Sequence, residues 1–218
     1  MRRPKKETNA APTSRKYFAG VAGRWDRMRS GYFSEAIRDD AIASARLGAG
    51  AVVADVGTGT GFMIQGLAPL AAKAHGFDQS PEMLAVARKN LAAFANVELH
   101  EAPGDGLPVP DGSFDAAFAN MYLHHAPDPP RAIAELARVL RPGGRLVITD
   151  LDAHDQEWMR EEMADRWLGF RRDDIRAWYA AARLARIEVR CARGTCRGTS
   201  SQGREARLAI FLALGTKE

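Results

Sequence analysis

The segment Ala51-Val52-Val53-Ala54-Asp55-Val56-Gly57-Thr58-Gly59-Thr60-Gly61 decides the fold of this chain. Its first half is an apolar run with one acidic residue, which is typical of a strand that is buried on both faces. Its second half has glycine at every other position, and glycine permits tight turns and the close approach of a ligand. A short helix is predicted over residues 62–70. This order of strand, turn and helix predicts a ligand site at the carboxyl end of a parallel sheet.

Strands and helices alternate along the rest of the chain. The further strands are predicted to end at Asp78 and to cover 96–100, 114–120, 145–150, 187–189 and 208–213. A polar loop joins the last two, which favours an antiparallel pair, and residues 140–144 are expected to form a tight turn. The alternation predicts an α/β fold: a Rossmann-like, doubly wound, seven-stranded sheet, mostly parallel with an antiparallel last strand, with helices on both faces.

One domain accounts for most of the 218 residues. Residues 1–14 are polar and basic and are predicted to be a disordered tail, whereas residues 15–218 are predicted to be the folded domain, with 15–48 as a helical N-terminal lid. Residues 1–16 carry a charge of +5 in a chain of formal net charge +4, so the remainder carries −1. The predicted domain therefore lacks the basic surface of a nucleic-acid-binding protein.

Composition also limits the expected location and partners. No apolar run reaches the ~18 residues that a membrane-spanning helix needs, and no apolar segment of a secretory signal follows the basic N-terminus. Two cysteines, Cys191 and Cys196, are too few for a disulfide scaffold, so we expect a cytoplasmic protein. The expected partner is a small-molecule substrate, with no nucleic acid and no membrane span, and a homodimer is left open.

The spacing of the glycines separates two classes of nucleotide-binding protein. A dinucleotide site requires G-x-G-x-x-G/A, but the place of the third small residue is held here by Phe62, which argues against an oxidoreductase. The pattern is instead G-x-G-x-G, with Asp55 two residues before Gly57. In this pattern, and over nearly the whole predicted domain, the chain resembles the class I S-adenosylmethionine-dependent methyltransferases. The resemblance implies S-adenosylmethionine as the cofactor and a small molecule as the methyl acceptor.

The resemblance also implies roles for individual residues. Asp55 is expected to face the amino group of the methionine moiety, with a cap on the glycine loop as its alternative. Asp78 is expected to accept hydrogen bonds from the ribose hydroxyls, with a favourable charge at a helix start as its alternative. The adenine contact is expected at Asp105 or at the backbone of Gly104. The predicted cofactor-binding residues are Asp55, Gly57, Thr58, Gly59, Gly61, Asp78, Gln79, Met83, Gly104, Asp105, Asn120 and Met121.

Shorter motifs narrow the resemblance. These are Asp78-x-Ser80-x-x-Met83-Leu84, Leu107-Pro108-x-x-Asp111-x-Ser113-Phe114-Asp115, Leu123-His124-His125 and Leu140-x-Pro142-Gly143-Gly144. Together they look like the bacterial-type group that contains the ubiquinone/menaquinone-biosynthesis methyltransferases. The motifs do not determine the acceptor, because all of the clear ones concern the cofactor.

Catalysis is assigned by chemistry rather than by a motif. His124, His125 and His154 are the candidate bases, because histidine changes its charge near neutral pH. Since adjacent residues point in different directions, at most one of His124 and His125 is expected to face the acceptor. Two other functions remain open: a cofactor-binding regulator without turnover, and methylation of a soft metalloid or thiol through Cys191 and Cys196. No metal site is expected.

Overall fold

The computed structural model describes residues 14–218, and the predicted tail lies outside this part except for Ser14, which begins the first helix. The helices are α1 (Ser14–Val21), α2 (Trp25–Tyr32), α3 (Glu35–Ala45), α4 (Phe62–Leu67), α5 (Pro81–Asn90), α6 (Pro129–Arg138), α7 (Trp158–Glu162) and α8 (Arg172–Ala181). The strands are β1 (Val52–Val56), β2 (Lys73–Asp78), β3 (Val97–Glu101), β4 (Phe114–Asn120), β5 (Leu140–Leu151), β6 (Leu184–Thr199) and β7 (Glu205–Lys217).

The seven strands form one sheet in the order β3-β2-β1-β4-β5-β7-β6. Strands β1 to β5 are parallel, whereas β7 runs antiparallel to both β5 and β6. The predicted doubly wound sheet with an antiparallel last strand is therefore confirmed. The chain reverses its direction of winding between β1 and β4, and the carboxyl ends of these two strands border the crevice where such folds bind ligands.

Helices bury both faces of the sheet. On one face, α3 and α4 supply Ile37, Phe62 and Ile64 to a core that also contains Val53 of β1. On the other face, α6 and α8 pack apolar side chains such as Leu136 and Tyr179 against β4, β5 and β7. Because β1 is covered on both sides, its sequence is apolar except for one acidic residue, Asp55.

The closing hairpin is longer than predicted. Strands β6 and β7 have 16 and 13 residues, so most of the predicted polar loop between them is strand. Arginines lie on the outward side of β6, which is an edge strand, and two register shifts interrupt its pairing with β7. Charges and bulges are common at sheet edges. In β6 they interrupt the alternation of apolar and polar residues by which a strand is predicted from sequence.

The prediction of a separate tight turn at residues 140–144 is wrong, because these residues form the start of β5. Leu140 already pairs with Phe114, and the register then shifts so that Arg145 lies opposite Ala116. Gly143 has a φ of 79°, so the glycine geometry is present, but within an irregular start of β5.

Helices α1 and α2 lie across the carboxyl end of the sheet. Asp26 of α2 accepts hydrogen bonds from the Thr60 hydroxyl at 2.6 Å and from the Asn90 amide at 2.9 Å. The N-terminal helices are therefore held against the glycine turn and α5, in the place that the sequence predicts for a lid. No helix within residues 14–218 is long and apolar enough to span a membrane.

Candidate active site

A cleft opens where the glycine turn, the end of β2 and the N-terminal helices meet. Eleven of the twelve predicted cofactor-binding residues line it. The exception is Gly61, which has a φ of 93° and begins α4, and a Cβ added there would meet Leu91 at 2.7 Å rather than the cleft. Gly61 is therefore needed for the turn and for packing, and it does not line the cleft as the sequence analysis expected.

Hydrogen bonds to Asp78 hold the glycine turn in place. One carboxylate oxygen accepts from the Gly59 N–H at 2.8 Å, and the other accepts from the Ser80 N–H at 2.9 Å. Burial raises the pKa of this carboxyl group above its usual value. Each oxygen keeps a second lone pair for a ligand hydroxyl, so the two roles considered for Asp78, at the helix start and toward a ribose, are compatible.

Asp55 is a buried carboxylate without a partner. Neither of its oxygens makes a hydrogen bond of good geometry within residues 14–218, and the same holds for the hydroxyl of Thr58, which lies near enough only to lower the pKa of Asp55 in part. Burial raises the pKa of Asp55 to about 7, since the charged form loses its hydration. A buried polar group that lines a cleft and lacks a partner indicates a ligand that supplies one.

Arg29 is a cleft residue that the sequence analysis missed. It lies on α2 with its guanidinium 4.0 Å from the centre of the Phe62 ring, and it is 9% exposed. It donates to the Phe33 carbonyl oxygen and to Glu35, but its Nε is buried without a partner among the described residues. The sequence does not distinguish Arg29 from the other charged residues of its helix. The packing of α2 against Phe62 directs its side chain toward the cleft, and this packing is visible only in the structure.

These groups together fit S-adenosylmethionine. Asp55 offers a carboxylate to an ammonium group, and Arg29 offers a guanidinium to a carboxylate, so the cleft presents a partner for each charge of an α-amino acid. Asp78 offers oxygens to a ribose. The unpartnered polar atoms of Asp55, Thr58 and Arg29 thus match the methionine and sugar parts of that molecule.

The aromatic ring of Tyr122 forms one wall of the cleft. A Cβ added at Gly57 or at Gly104 would lie within 2.8 Å of this side chain, so both positions must be glycine for the ring to fit. Burial raises the pKa of Tyr122 well above its usual value. Asp105 lies beside the ring, where its carboxylate is 3.5 Å from Arg131.

A second, mainly aromatic pocket adjoins the cleft. Phe18, Trp25, Phe33, Met121 and His125 line both cavities. The remaining lining residues are Tyr17, Tyr32, His124, Leu151, Met159, Met163, Asp165 and Cys196. Aromatic and methionine side chains provide a polarisable surface for a flat apolar molecule. The cavity volume is about 30 Å³, so an aromatic ring fits only after the N-terminal helices move outward.

His124 and His125 both reach the aromatic pocket, which contradicts the expectation that at most one does. They lie in a 3₁₀ turn, Leu123–His125, which brings their ring centres to 4.0 Å. His124 Nδ1 is 2.6 Å from Asp150, whereas His125 Nδ1 is 3.2 Å from the Ala164 carbonyl oxygen. A carbonyl oxygen can only accept, so Nδ1 of His125 carries the proton and its Nε2 is free to accept one.

The charges of the two histidines differ. Burial alone would lower the pKa of His124, but Asp150 and Asp165 raise it to about 9. Burial and the positive His124 lower the pKa of His125 well below its usual value. His124 is therefore an imidazolium and His125 is neutral at pH 7. A positive His124 also disfavours a metal ion between these side chains.

Asp165 lies between the two histidines and was not predicted. Its carboxylate is 3.8 Å from His124 Nε2 and 3.9 Å from His125 Nε2, and burial raises its pKa to about 6. The residue comes from the segment between α7 and α8, forty residues after the histidines. Only the tertiary structure brings these three side chains together.

The cysteines do not form a joint site. Cys191 pairs with Phe211 on one face of the sheet and accepts a hydrogen bond from Arg172, whereas Cys196 belongs to the core of the other face. Burial also raises the pKa of Cys196 to about 12, so its thiol stays protonated. The proposed binding of a soft metalloid between the two thiolates is therefore wrong.

Comparison with known proteins agrees with the geometry of the cleft. Residues 54–148 match a family model described as a methyltransferase domain. The chain is 32% identical over 167 residues to 2-methyl-6-phytyl-1,4-hydroquinone methyltransferase 1 of Oryza sativa, covering 75% of this chain and 50% of that protein. It is 37% identical over 139 residues to demethylmenaquinone methyltransferase of Tropheryma whipplei, covering 62% and 58%. The chain thus spans about half the length of the curated relatives that it matches.

Solved structures share the fold. The YcgJ protein of Bacillus subtilis superimposes with a TM-score of 0.72 at 21% identity, over 85% of this chain and 99% of that protein. In its fold, its cleft and the family model matched by residues 54–148, the chain is similar to the class I S-adenosylmethionine-dependent methyltransferases. Within that class it is similar to the ubiquinone/menaquinone-biosynthesis group. The comparisons also support S-adenosylmethionine as its cofactor.

Arg29→Met is expected to weaken the affinity for S-adenosylmethionine roughly 10- to 100-fold, the usual cost of losing a hydrogen bond to a charged group. Methionine keeps the apolar packing on Phe62, so the melting temperature should change little. The matched control is Arg38→Met, because Arg38 also lies over Phe62, at 5.2 Å, but does not line the cleft. Titration calorimetry compares the two, and equal affinities would show that Arg29 does not contact the cofactor.

Proposed function

We propose that this chain transfers the methyl group of S-adenosylmethionine to a hydroquinone-type aromatic acceptor bound in the aromatic pocket. The observation that carries the proposal is the continuity of the two cavities through Phe18, Trp25, Phe33, Met121 and His125. An acceptor ring in the aromatic pocket lies next to the methionine end of the cleft. The names of the two plant and bacterial relatives, both quinone or hydroquinone methyltransferases, support the same class of acceptor.

Three of the charged residues that line the cleft would hold the cofactor. Asp55 would pair with the amino group of the methionine moiety, Arg29 with its carboxylate, and Asp78 with the ribose hydroxyls. When bound, S-adenosylmethionine supplies an electrophilic methyl group on a positively charged sulfur. Positioning the acceptor in line with that methyl group is the main contribution of the protein, and such positioning can supply roughly 7–11 kcal/mol of the barrier.

Met121 is well placed to orient the two molecules. It directly follows β4 with a φ of 51°, a left-handed conformation that is uncommon outside glycine, and its N–H donates to the Thr149 carbonyl oxygen at 2.8 Å. Strained backbone of this kind clusters at functional sites. Met121 lines both cavities, so its position sets the boundary between cofactor and acceptor.

His125 is the proposed base. In the transfer, the acceptor would form a bond to the methyl carbon while the methyl–sulfur bond breaks and its electron pair stays on sulfur, so that S-adenosylhomocysteine leaves. The proton of the acceptor hydroxyl would move to His125 Nε2. The imidazolium that forms is stabilised by Asp165, whose carboxylate lies 3.9 Å away. His124 acts as a positioning residue, because its ion pair with Asp150 fixes the 3₁₀ turn that presents His125.

The lid excludes water from the reacting groups. Tyr17 and Phe18 of α1 and Trp25 of α2 cover the aromatic pocket, and burial raises the pKa of Tyr17 to about 12, so it stays neutral. The bonds from Thr60 and Asn90 to Asp26 must open for cofactor exchange and reform on closure.

The predicted domain boundaries, a cytoplasmic location, the absence of nucleic-acid partners and a homodimer remain predictions.

An acceptor panel tests the proposal. The protein is incubated with methyl-labelled S-adenosylmethionine and with a demethylated menaquinol, a methyl-phytyl hydroquinol, a simple phenol, an alkyl thiol or arsenite. Labelled product is expected with the hydroquinols and not with arsenite. If the cofactor binds by calorimetry but no acceptor is labelled, the chain is a cofactor-binding regulator instead. Label on the thiol or arsenite alone would also overturn the proposal.

A further inference from the structure

A cluster of two histidines and a glutamate lies at the edge of the sheet, away from both cavities. His75 is on β2, and Glu98 and His100 are on β3, the edge strand. The parallel register places His75 opposite Glu98, and side chains two residues apart on a strand share a face, so all three lie on one face of the sheet. None of them lines the cofactor cleft or the aromatic pocket.

The three ligand atoms are close together. His75 Nδ1 is 3.0 Å from His100 Nε2 and 3.6 Å from a Glu98 oxygen, and that oxygen is 3.9 Å from His100 Nε2. A tetrahedral zinc ion binds nitrogen and oxygen atoms at about 2.0–2.2 Å, which separates its ligand atoms by roughly 3.4 Å. The observed separations bracket that value, so a metal ion fits after small rotations of the side chains.

We propose that His75, Glu98 and His100 form a binding site for a divalent transition-metal ion, with Zn²⁺ as the best fit. Two imidazoles and one carboxylate suit Zn²⁺, Ni²⁺ or Cu²⁺, whereas Mg²⁺ and Ca²⁺ require more oxygen ligands. The exposed fractions of the side chains are 13% for His75, 31% for His100 and 48% for Glu98, so a fourth position faces solvent and can hold water. This site departs from the expectation that the chain has none.

The surroundings of the cluster favour neutral histidines. The His75 ring lies against Phe77 and Phe114, and burial lowers the pKa of both His75 and His100. A metal ligand must be unprotonated, and the neutral form is therefore available at pH 7. Lys73 opposes metal binding, because its ammonium group lies 2.7 Å from the other oxygen of Glu98.

Metal binding would join the edge strand more firmly to the sheet. Strand β3 has five residues and, among the strands of residues 14–218, pairs only with β2, so it lies among the segments that open most easily. Because the ligands of the ion come from both strands, β3 could separate from β2 only after the metal is released. The site is therefore proposed to stabilise the edge of the sheet and not to take part in methyl transfer.

Zinc titration of the full chain, after removal of metal by a chelator, tests the proposal. Calorimetry is expected to show one Zn²⁺ per chain, and Co²⁺ in its place should give the visible absorption of a tetrahedral site. His100→Gln and Glu98→Gln are each expected to weaken Zn²⁺ binding at least tenfold, and hydrogen exchange in residues 97–101 should slow only when the wild-type protein holds the ion.

Lys73→Ala is the matched control, and its Zn²⁺ affinity is expected to change in the opposite direction. Removing the competing ammonium group should strengthen Zn²⁺ binding severalfold, which no loss of folding could imitate. His154→Gln, which removes a histidine outside the cluster, should leave the affinity unchanged. Equal Zn²⁺ affinity in wild type, His100→Gln and Glu98→Gln, or a Co²⁺ complex without tetrahedral absorption, would overturn the proposal.

Discussion

Replacing Asp55 by Asn is expected to weaken S-adenosylmethionine binding at least about 100-fold while making the unliganded protein more stable. The loss of affinity follows because Asn cannot neutralise the ammonium group of the methionine moiety. The gain in stability follows because the wild-type carboxylate is buried without a partner among residues 14–218, and an ion in such a place is costly.

The pH dependence makes the prediction sharper. Burial raises the pKa of Asp55 to about 7 in the folded state, against about 3.9 in an unfolded chain. The folded state therefore holds the proton more firmly, and its stability falls as the pH rises from about 4 to about 7. Above pH 7 the ionised Asp55 lowers the free energy of unfolding by its full amount, which is on the order of 4 kcal/mol. Asn carries no charge at any pH, so the variant gains most above pH 7.

Thermal melting at pH 5 and pH 8, together with calorimetry, measures both effects. We expect Asp55→Asn to melt roughly 8–16 °C above wild type at pH 8 and to lose much of that advantage at pH 5. Asp39→Asn is the control, because Asp39 is exposed and paired only with Arg38. The assignment of Asp55 fails if the variant binds the cofactor as tightly as wild type, or if it melts lower at pH 8.

His125→Gln is expected to lower kcat by about 10² to 10⁴ once an acceptor is known, because general-base catalysis typically contributes that factor. The affinity for S-adenosylmethionine should change far less, since the cofactor depends on Asp55, Arg29 and Asp78. In the wild type, kcat should fall as the pH drops below about 6, where Asp165 becomes protonated and can no longer stabilise a charged His125. Pre-steady-state turnover and equilibrium binding separate the two effects.

Two further histidines serve as comparisons. His124→Gln should mainly destabilise the fold, by about 3–5 kcal/mol, because it leaves the fully buried Asp150 without its cationic partner. His154→Gln should leave kcat nearly unchanged, because His154 lines neither cavity. Equal kcat values for His125→Gln and His154→Gln would remove His125 from the mechanism.

The cofactor side of the site was readable from the sequence because it is local. Asp55, Gly57, Thr58 and Gly59 follow one another on a strand and turn, and Asp78 ends the next strand at the same edge of the sheet. Parallel strands bring their carboxyl ends together, so order along the chain predicts proximity in space. Eleven of twelve predicted residues accordingly line the cleft, and Gly61 differs because it faces Leu91.

The acceptor side was not readable, because its residues come from distant segments. Tyr17 lies in the lid, His125 follows β4, Asp165 precedes α8 and Cys196 lies on the edge strand, yet all four line one pocket. His125 alone belongs to a motif, Leu123-His124-His125, and that motif does not place it near the other three residues. The predicted separation of His124 from His125 also failed, because the 3₁₀ turn places both rings on the same side.

The sequence by itself determined the order of strands and helices, the parallel sheet and the turn that receives the cofactor, because these depend on hydrophobic pattern and on glycine at fixed spacing. Only the tertiary structure decided which charges remain buried without partners, and which of two adjacent histidines is neutral. Those properties depend on desolvation and on neighbours supplied by other segments, as Asp150 and Asp165 show for His124. Proximity and burial of this kind are consequences of packing, and the sequence carries no local pattern for them.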